Sequence, residues 1–134
     1  MLQYSETLRN QQLDQVEVVL GPSAQLIIRT GPPPGSCAGA DTGTVLATVL
    51  LPVDWMAAAS NGVKVKAGTW QDNTADGTGI AGHFRMKDQA GSACHLQGTV
   101  GAIGSGAEME VDNTNFQAGQ AFTVNTFQIS AGNA

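Results

Sequence analysis

The sequence predicts an all-β fold, a β-sandwich or barrel carrying one α-helix at its N-terminal end. Short stretches of β-branched, aromatic and aliphatic residues recur between glycine, proline and Asx turn signals. Glycine accounts for 17 of the 134 residues and charged residues for only 13%, about half the usual charged share. Sustained helical periodicity appears once, before residue 22. About seven to eight strands are expected, with residues 1–22 as a helix or arm and residues 23–134 as the β domain. A chain of this length buries enough surface to fold without disulfide or metal staples.

Residues 4–20, YSETLRNQQLDQVEVVL, predict the helix. Leu13, Val16 and Leu20 fall on one side, with Leu8 before them. Ser5 suits the N-cap, and Glu6 lies in the first turn, where the helix dipole favours an anion. Gly21-Pro22 ends the helix, because glycine tolerates the C′ conformation and proline cannot continue the ladder. The apolar face is narrow and interrupted by Gln11 and Gln12. Such a helix lies on a surface or reaches a neighbour, so its removal is expected to leave a folded β core.

Strands follow at 24–30 and 44–51. The second, TVLATVLL, is almost wholly apolar, which predicts burial on both faces. Between them GPPPGSCAGADTG (31–43) is a loop, since three consecutive prolines lack amide donors. Residues 54–60 predict a short helical turn capped by Asp54 and closed by Asn61-Gly62. VKVKAGTW (63–70) alternates, which predicts valines inward and lysines outward. QDNTADGTG (71–79) reads as a polar loop, GAIGSGA (101–107) as a flexible turn and EMEVD (108–112) as a strand. In the last strand, 121–130, Phe122 and Val124 share one face, while Phe127 and Ile129 share the other. A bulge or a switch between sheets is therefore expected near Asn125-Thr126.

HFRMKDQAGSACHLQGTV (83–100) gathers both histidines, Cys94 and Asp88. A three-residue loop, Gln89-Ala90-Gly91, with Gly91 left-handed, pairs Asp88 with Ser92. Met86 then faces Cys94, Phe84 faces Leu96, Arg85 faces His95 and His83 faces Gln97. Phe84, Met86, Cys94 and Leu96 become predicted core. His83, Arg85, Lys87, His95 and Gln97 form a predicted outward strip. The two histidines lie diagonally on that strip, but Arg85 and Lys87 beside them repel a cation and no third ligand is at hand. Cys94 reads as a small core residue. A disulfide between Cys37 and Cys94 is open at this level, because sequence does not measure the distance.

Other constellations have bland readings. DNTADG (72–77) has the outline of a calcium loop, with Asp72, Asp76 and Gly77 at the first, fifth and sixth positions. Thr74 stands at the third, however, and His83 stands where a bidentate Glu belongs. A turn made by Asx side chains fits better. Glu108 and Glu110 share a strand face that reads as solvated. Trp55 and Trp70 read as core or interface anchors rather than a sugar platform. There is neither a nucleophile elbow nor a phosphate loop. No metal, cofactor or catalytic residue is assigned, and a non-enzymatic role is expected.

The net charge of −5, with six Lys and Arg in all, argues against binding a phosphate backbone. No run approaches the ~18 apolar residues of a membrane span, and the first residues lack the pattern of a secretory signal. Neither nucleic acid nor membrane is an expected partner, and synthesis in a cytoplasm is expected.

The segments YSETLRNQQLDQVE, CAGADTGTVLATVLLPVDWMAAAS, GTWQDNTADGTGIAGHFRMKD with CHLQGTVG, and MEVDNTNFQAGQAFTVNTFQISAGNA span nearly the whole chain. In this order they resemble a family of small phage and prophage virion proteins. The resemblance implies a capsid decoration, or cement, protein: a jelly-roll-like β-sandwich on the outer face of an HK97-type shell. It implies the major capsid protein and further copies of this chain, as dimer or trimer, as partners. A tail or head–tail connector component is the alternative. On that reading the gripping elements are the helix, with Tyr4, Leu8 and Leu13, and the proline loop, with Pro32, Pro33 and Pro34. The strip His83, Arg85, Lys87 and His95 would meet an acidic neighbour.

Overall fold

A computed structural model describes residues 1–134 and shows a mostly β chain with one N-terminal helix. Ser5 caps α1 (Glu6–Leu20) as expected, its Oγ accepting the Leu8 N–H at 3.1 Å. Gly21 closes the helix with φ 81° and donates its N–H to Glu17 O at 2.8 Å. Ten short strands follow: β1 (Gln25–Thr30), β2 (Val45–Leu50), β3 (Val63–Val65), β4 (Trp70–Asp72), β5 (Gly79–Lys87), β6 (Cys94–Ala102), β7 (Met109–Val111), β8 (Asn115–Phe116), β9 (Phe122–Val124) and β10 (Gln128–Ser130).

The main sheet has the order β2-β1-β5-β6-β7, with β8 joined to β5. Its ladders are antiparallel except β6–β7, which is parallel. The glycine-rich turn before β7 is held by Glu110, whose carboxylate accepts the Gly104 and Gly106 N–H groups at 3.2 and 2.9 Å. The ladders β3–β10 and β4–β9 are successive parts of one antiparallel ribbon. Between them the Lys66 N–H donates to Phe127 O at 2.9 Å. The phase slip at Asn125-Thr126 is where β9 and β10 separate and take different partners.

The core lies between the main sheet and this ribbon. Leu26 and Ile28 of β1, Ala47 and Val49 of β2, and Phe84 and Met86 of β5 meet Trp55, Trp70, Val124 and Phe127 in one buried cluster. Phe127 links two aromatics, its ring 5.6 Å from Phe84, edge-on, and 5.6 Å from Trp70; Trp55 lies 6.1 Å beyond Trp70. Such pairs add about 0.5–1.5 kcal/mol each beyond their burial. Both indole N–H groups find carbonyls: Trp55 donates to Gly21 O at 3.0 Å, and Trp70 to Trp55 O and Ala67 O at 3.1 Å. The tryptophans are core, and neither offers a face to a sugar.

Three expectations are corrected. Strand β2 is not buried on both faces: Leu46, Ala47 and Val49 are buried, while Thr48 and Leu50 lie exposed on the face away from the core. Residues 54–60 form no helical turn. Beyond the bend at Asp54, isolated antiparallel bridges join Met56 to Lys66 and Ser60 to Val63. Asn61 and Gly62, at φ 54° and 71°, make the two-residue turn of a hairpin, which needs positive φ at both positions.

The third correction inverts β3. Lys64 points inward, only 1% exposed, while Val65 faces out. The cause lies in α1. Asp14 and Glu17, one turn apart on the helix, each place a carboxylate oxygen 2.7 Å from Lys64 Nζ, and Ala57 O accepts a third bond at 3.0 Å. An ammonium group with all three donors satisfied tolerates burial that an unpaired one does not. Burial opposes the charge, but the hydrogen bonds and fields of the two carboxylates outweigh it and hold the Lys64 pKa above its ordinary value.

The helix lies on the β domain, as expected. Leu13 and Leu20 are buried, and Val16 packs against the main cluster. Glu17 also accepts the Met56 N–H at 3.1 Å, Asp14 that of Ala59 at 2.9 Å, and Asn10 that of Gly62 at 2.9 Å. Helix α1 is thus fastened along most of its length to the 56–64 hairpin.

Candidate functional site

The most elaborate cluster lies where residues 31–43 cross the face of β5 opposite the core. They form a strap, held at successive points by side chains that rise from the sheet. His83 Nδ1 is 2.8 Å from Gly31 O. A carbonyl only accepts, so Nδ1 carries the proton. Gln97 Nε2 donates to Pro34 O at 2.7 Å. Arg85 donates through Nη2 to Cys37 O at 2.8 Å and through Nη1 to Gly39 O at 3.1 Å and Asp41 Oδ1 at 2.5 Å. Lys87 Nζ reaches Asp41 Oδ2 at 2.6 Å, and Arg29 approaches the same oxygen at 3.3 Å.

Asp41 therefore gathers three of the six Lys and Arg side chains of the chain. The Lys87 hydrogen bond, helped by the fields of Lys87 and Arg29, holds its carboxyl below the usual range despite partial burial. Gly82 lets the strap descend, since a Cβ there would lie 2.2 Å from Gly31 O.

This arrangement corrects the outward strip. His83 and Arg85 are sealed beneath the strap, 0% and 1% exposed, and Lys87 is largely covered. The acidic group that Arg85 and Lys87 meet is Asp41 of their own chain, while His83 meets the Gly31 carbonyl. His95 alone of the four is exposed. Of the other residues expected to grip a partner, Leu8 and Pro32 are exposed. Tyr4, Pro33 and Pro34 are half-buried, and Leu13 is core. The Tyr4 N–H donates to Asn133 O at 2.6 Å.

The hairpin register also differs. Gly91 is left-handed as expected, φ 72°, but the Asp88 N–H donates to Ala93 O, not to Ser92, so the loop is one residue longer. The Asp88 carboxylate accepts the Ser92 N–H at 2.8 Å and fixes that turn. A bulge follows: Met86 pairs with Leu96 and Lys87 with Cys94, leaving His95 as the extra residue. Two single-residue offsets keep β5 facing as expected, so Arg85 meets Gln97 and His83 meets Thr99. The bulge turns Cys94 out of the core and onto the strap side. There its Sγ lies 2.9 Å from Cys37 Sγ, both thiols free. Burial, reinforced by the neighbouring Cys94, pushes the Cys37 thiol up to about 11.

The 72–77 segment guards the outer edge of β2. Asp72 Oδ2 accepts the Thr48 N–H at 3.0 Å and Asp76 Oδ2 the Thr48 hydroxyl at 2.8 Å. Asp72 Oδ1 accepts the Thr74 N–H at 3.0 Å, the Asx turn expected from sequence. His83 lies on β5 under the strap, away from this loop. Glu108 accepts the Thr99 hydroxyl. No three His, Cys, Asp or Glu side chains converge as a metal site would require. No helix is long and apolar enough to cross a membrane.

Sequence reasoning missed Asp41, Lys64, Asp14 and Glu17. The ion pairs Lys64–Asp14 and Arg85–Asp41 span 50 and 44 positions, beyond the reach of local periodicity. The chain matches no family model, no curated protein and no solved structure.

Proposed function

We propose that the protein is a non-enzymatic virion structural protein of the capsid decoration type, which binds the outer shell of a phage head and bridges its subunits. On this reading the main sheet and the β3–β10/β4–β9 ribbon are the two layers of a jelly-roll-like sandwich. The major capsid protein and further copies of the chain are its partners.

The observation that carries the reading is a set of bare apolar side chains on a stiff frame. Val18 and Val19 on α1 are 68% and 56% exposed, and Leu50 at the end of β2 and Val53 after it are 62% and 73% exposed. Val18 borders the same depression as Asp54, next to Val53. Helix α1 is fastened to the hairpin beneath it, so these residues are presented without an ordering cost. The scarcity of charge lowers the desolvation cost of packing against a shell, and many copies on a lattice let each contact be weak.

The test is a density map of purified particles together with the copy number of this chain by quantitative mass spectrometry. Many copies spread over the shell are expected; a ring at the portal or a tail location overturns the reading. Val18→Asp with Val53→Asp should abolish particle binding while changing stability by no more than about 1 kcal/mol, because both sites are exposed. Undiminished binding would remove these residues from the contact.

A further inference from the structure

We infer that Cys37 and Cys94 form an intramolecular disulfide that converts the strap from a hydrogen-bonded cover into a covalently fastened one. The two sulfurs are 2.9 Å apart, so closing to a bond of about 2.04 Å needs less than ~1 Å of movement. The His95 bulge creates this approach: with regular alternation Cys94 would face Phe84 and Met86, out of reach of the strap. On the strap, Cys37 is already positioned by Arg85 through its carbonyl. Both thiols border an open depression of about 510 Å³, shared with Asp41, Lys87 and Ser92, so a small disulfide reagent has access. The inference rests on this geometry alone and is independent of the partner proposed above.

The chemistry balances by exchange with a glutathione disulfide. One cysteine, as thiolate, attacks a glutathione sulfur, forming a mixed disulfide and expelling one glutathione thiolate. The second cysteine loses its proton and attacks the protein sulfur of that mixed disulfide. The Cys37–Cys94 bond forms as the second glutathione leaves. Two protein thiols are oxidised, one glutathione disulfide is reduced to two thiols, and no other reactant is required. In a reducing cytoplasm the pair stays as thiols, and outside it the pair closes.

The experiment uses the full chain, purified reduced and treated with oxidised glutathione. Its intact mass should fall by two hydrogen atoms, and a non-reduced digest should yield the peptides of Cys37 and Cys94 joined. The bond closes a loop from residue 37 to residue 94, so Tm should rise by roughly 10 °C and return on reduction. Cleavage within residues 32–40 by a non-specific protease should slow in parallel. Cys37→Ser and Cys94→Ser should each acquire one glutathione and show no such rise. A wild-type chain that ends with glutathione on both cysteines, or cross-linked to a second copy, overturns the inference. A Cys37–Cys94 bond that leaves Tm unchanged or lowers it overturns the fastening role.

Discussion

Replacing the carboxylates around Lys64 should damage the protein more than replacing Lys64 itself. In Asp14→Asn with Glu17→Gln, the ammonium stays where it is 1% exposed, with amide oxygens in place of two anions at 2.7 Å. Stranding a buried charge costs about 3–5 kcal/mol, equivalent to a Tm loss of roughly 10–15 °C for a chain of this size. Lys64→Met keeps the aliphatic stem in place and removes the charge. Asp14 and Glu17 are 42% and 21% exposed at the side chain and retain their backbone donors, so water replaces the lysine. The remaining cost is the unpaired Ala57 carbonyl and imperfect packing, about 1–2 kcal/mol. Urea unfolding followed by fluorescence of the buried Trp55 and Trp70 measures both variants. If Lys64→Met is as damaging as the double variant, the ammonium does not depend on α1 and the account of β3 is wrong. The pH dependence has a definite sign. The folded pKa of Lys64 is raised, so its contribution is complete below the unfolded value of about 10.5 and is lost as pH climbs through the folded value. Lys64→Met should lack this alkaline limb.

Asp41→Asn should free the strap and leave Arg85 uncompensated, lowering stability by about 2–3 kcal/mol and speeding proteolysis within residues 32–40. Because the Asp41 carboxyl is lowered, its contribution is present above about pH 4 and fades as pH falls through the folded value. Acid should therefore raise strap cleavage in the wild type and change it little in the variant. Gly82→Ala drives a Cβ against Gly31 O at 2.2 Å and should cost about 1–3 kcal/mol. Gly35→Ala, with nothing within 4 Å, should cost far less in the same thermal melts. Removing residues 1–20 should lower Tm by at least about 10 °C, because it strands Lys64; an unchanged melt would restore the helix to the status of a detachable arm.

Local features were legible where the physics is local. Ser5 and Gly21 marked both ends of α1, and Gly91 marked the β5–β6 turn. The change of face at Asn125-Thr126 marked the exchange of partners between β9 and β10. Reasoning failed where a distant segment set the rule. Alternation in VKVK was real, but its sense was reversed by two carboxylates some fifty residues earlier. Arg85 and His83 were correctly paired on one face of β5, yet that face is covered, because the strap supplies carbonyls and one aspartate to receive them. The hydrogen-bonding of Asp88 to Ser92 and the His95 bulge each moved the hairpin by one residue. Together they preserved the facing of β5 and reversed Cys94.

The Asp72–Gly77 segment has a consequence for self-association. An edge strand left bare invites a second chain to add a strand of its own. On β2 the Thr48 amide is taken by Asp72, and Leu46 O accepts the Asp76 and Gly77 N–H groups at 2.8 and 3.3 Å. Gly77 permits this closeness, since a Cβ there would lie 2.6 Å from Val45 O. The end of β4 and the acidic turn after it thus occupy the positions through which sheets join edge to edge. A protein crowded against copies of itself could then meet them through side chains without fusing into a continuous β-polymer.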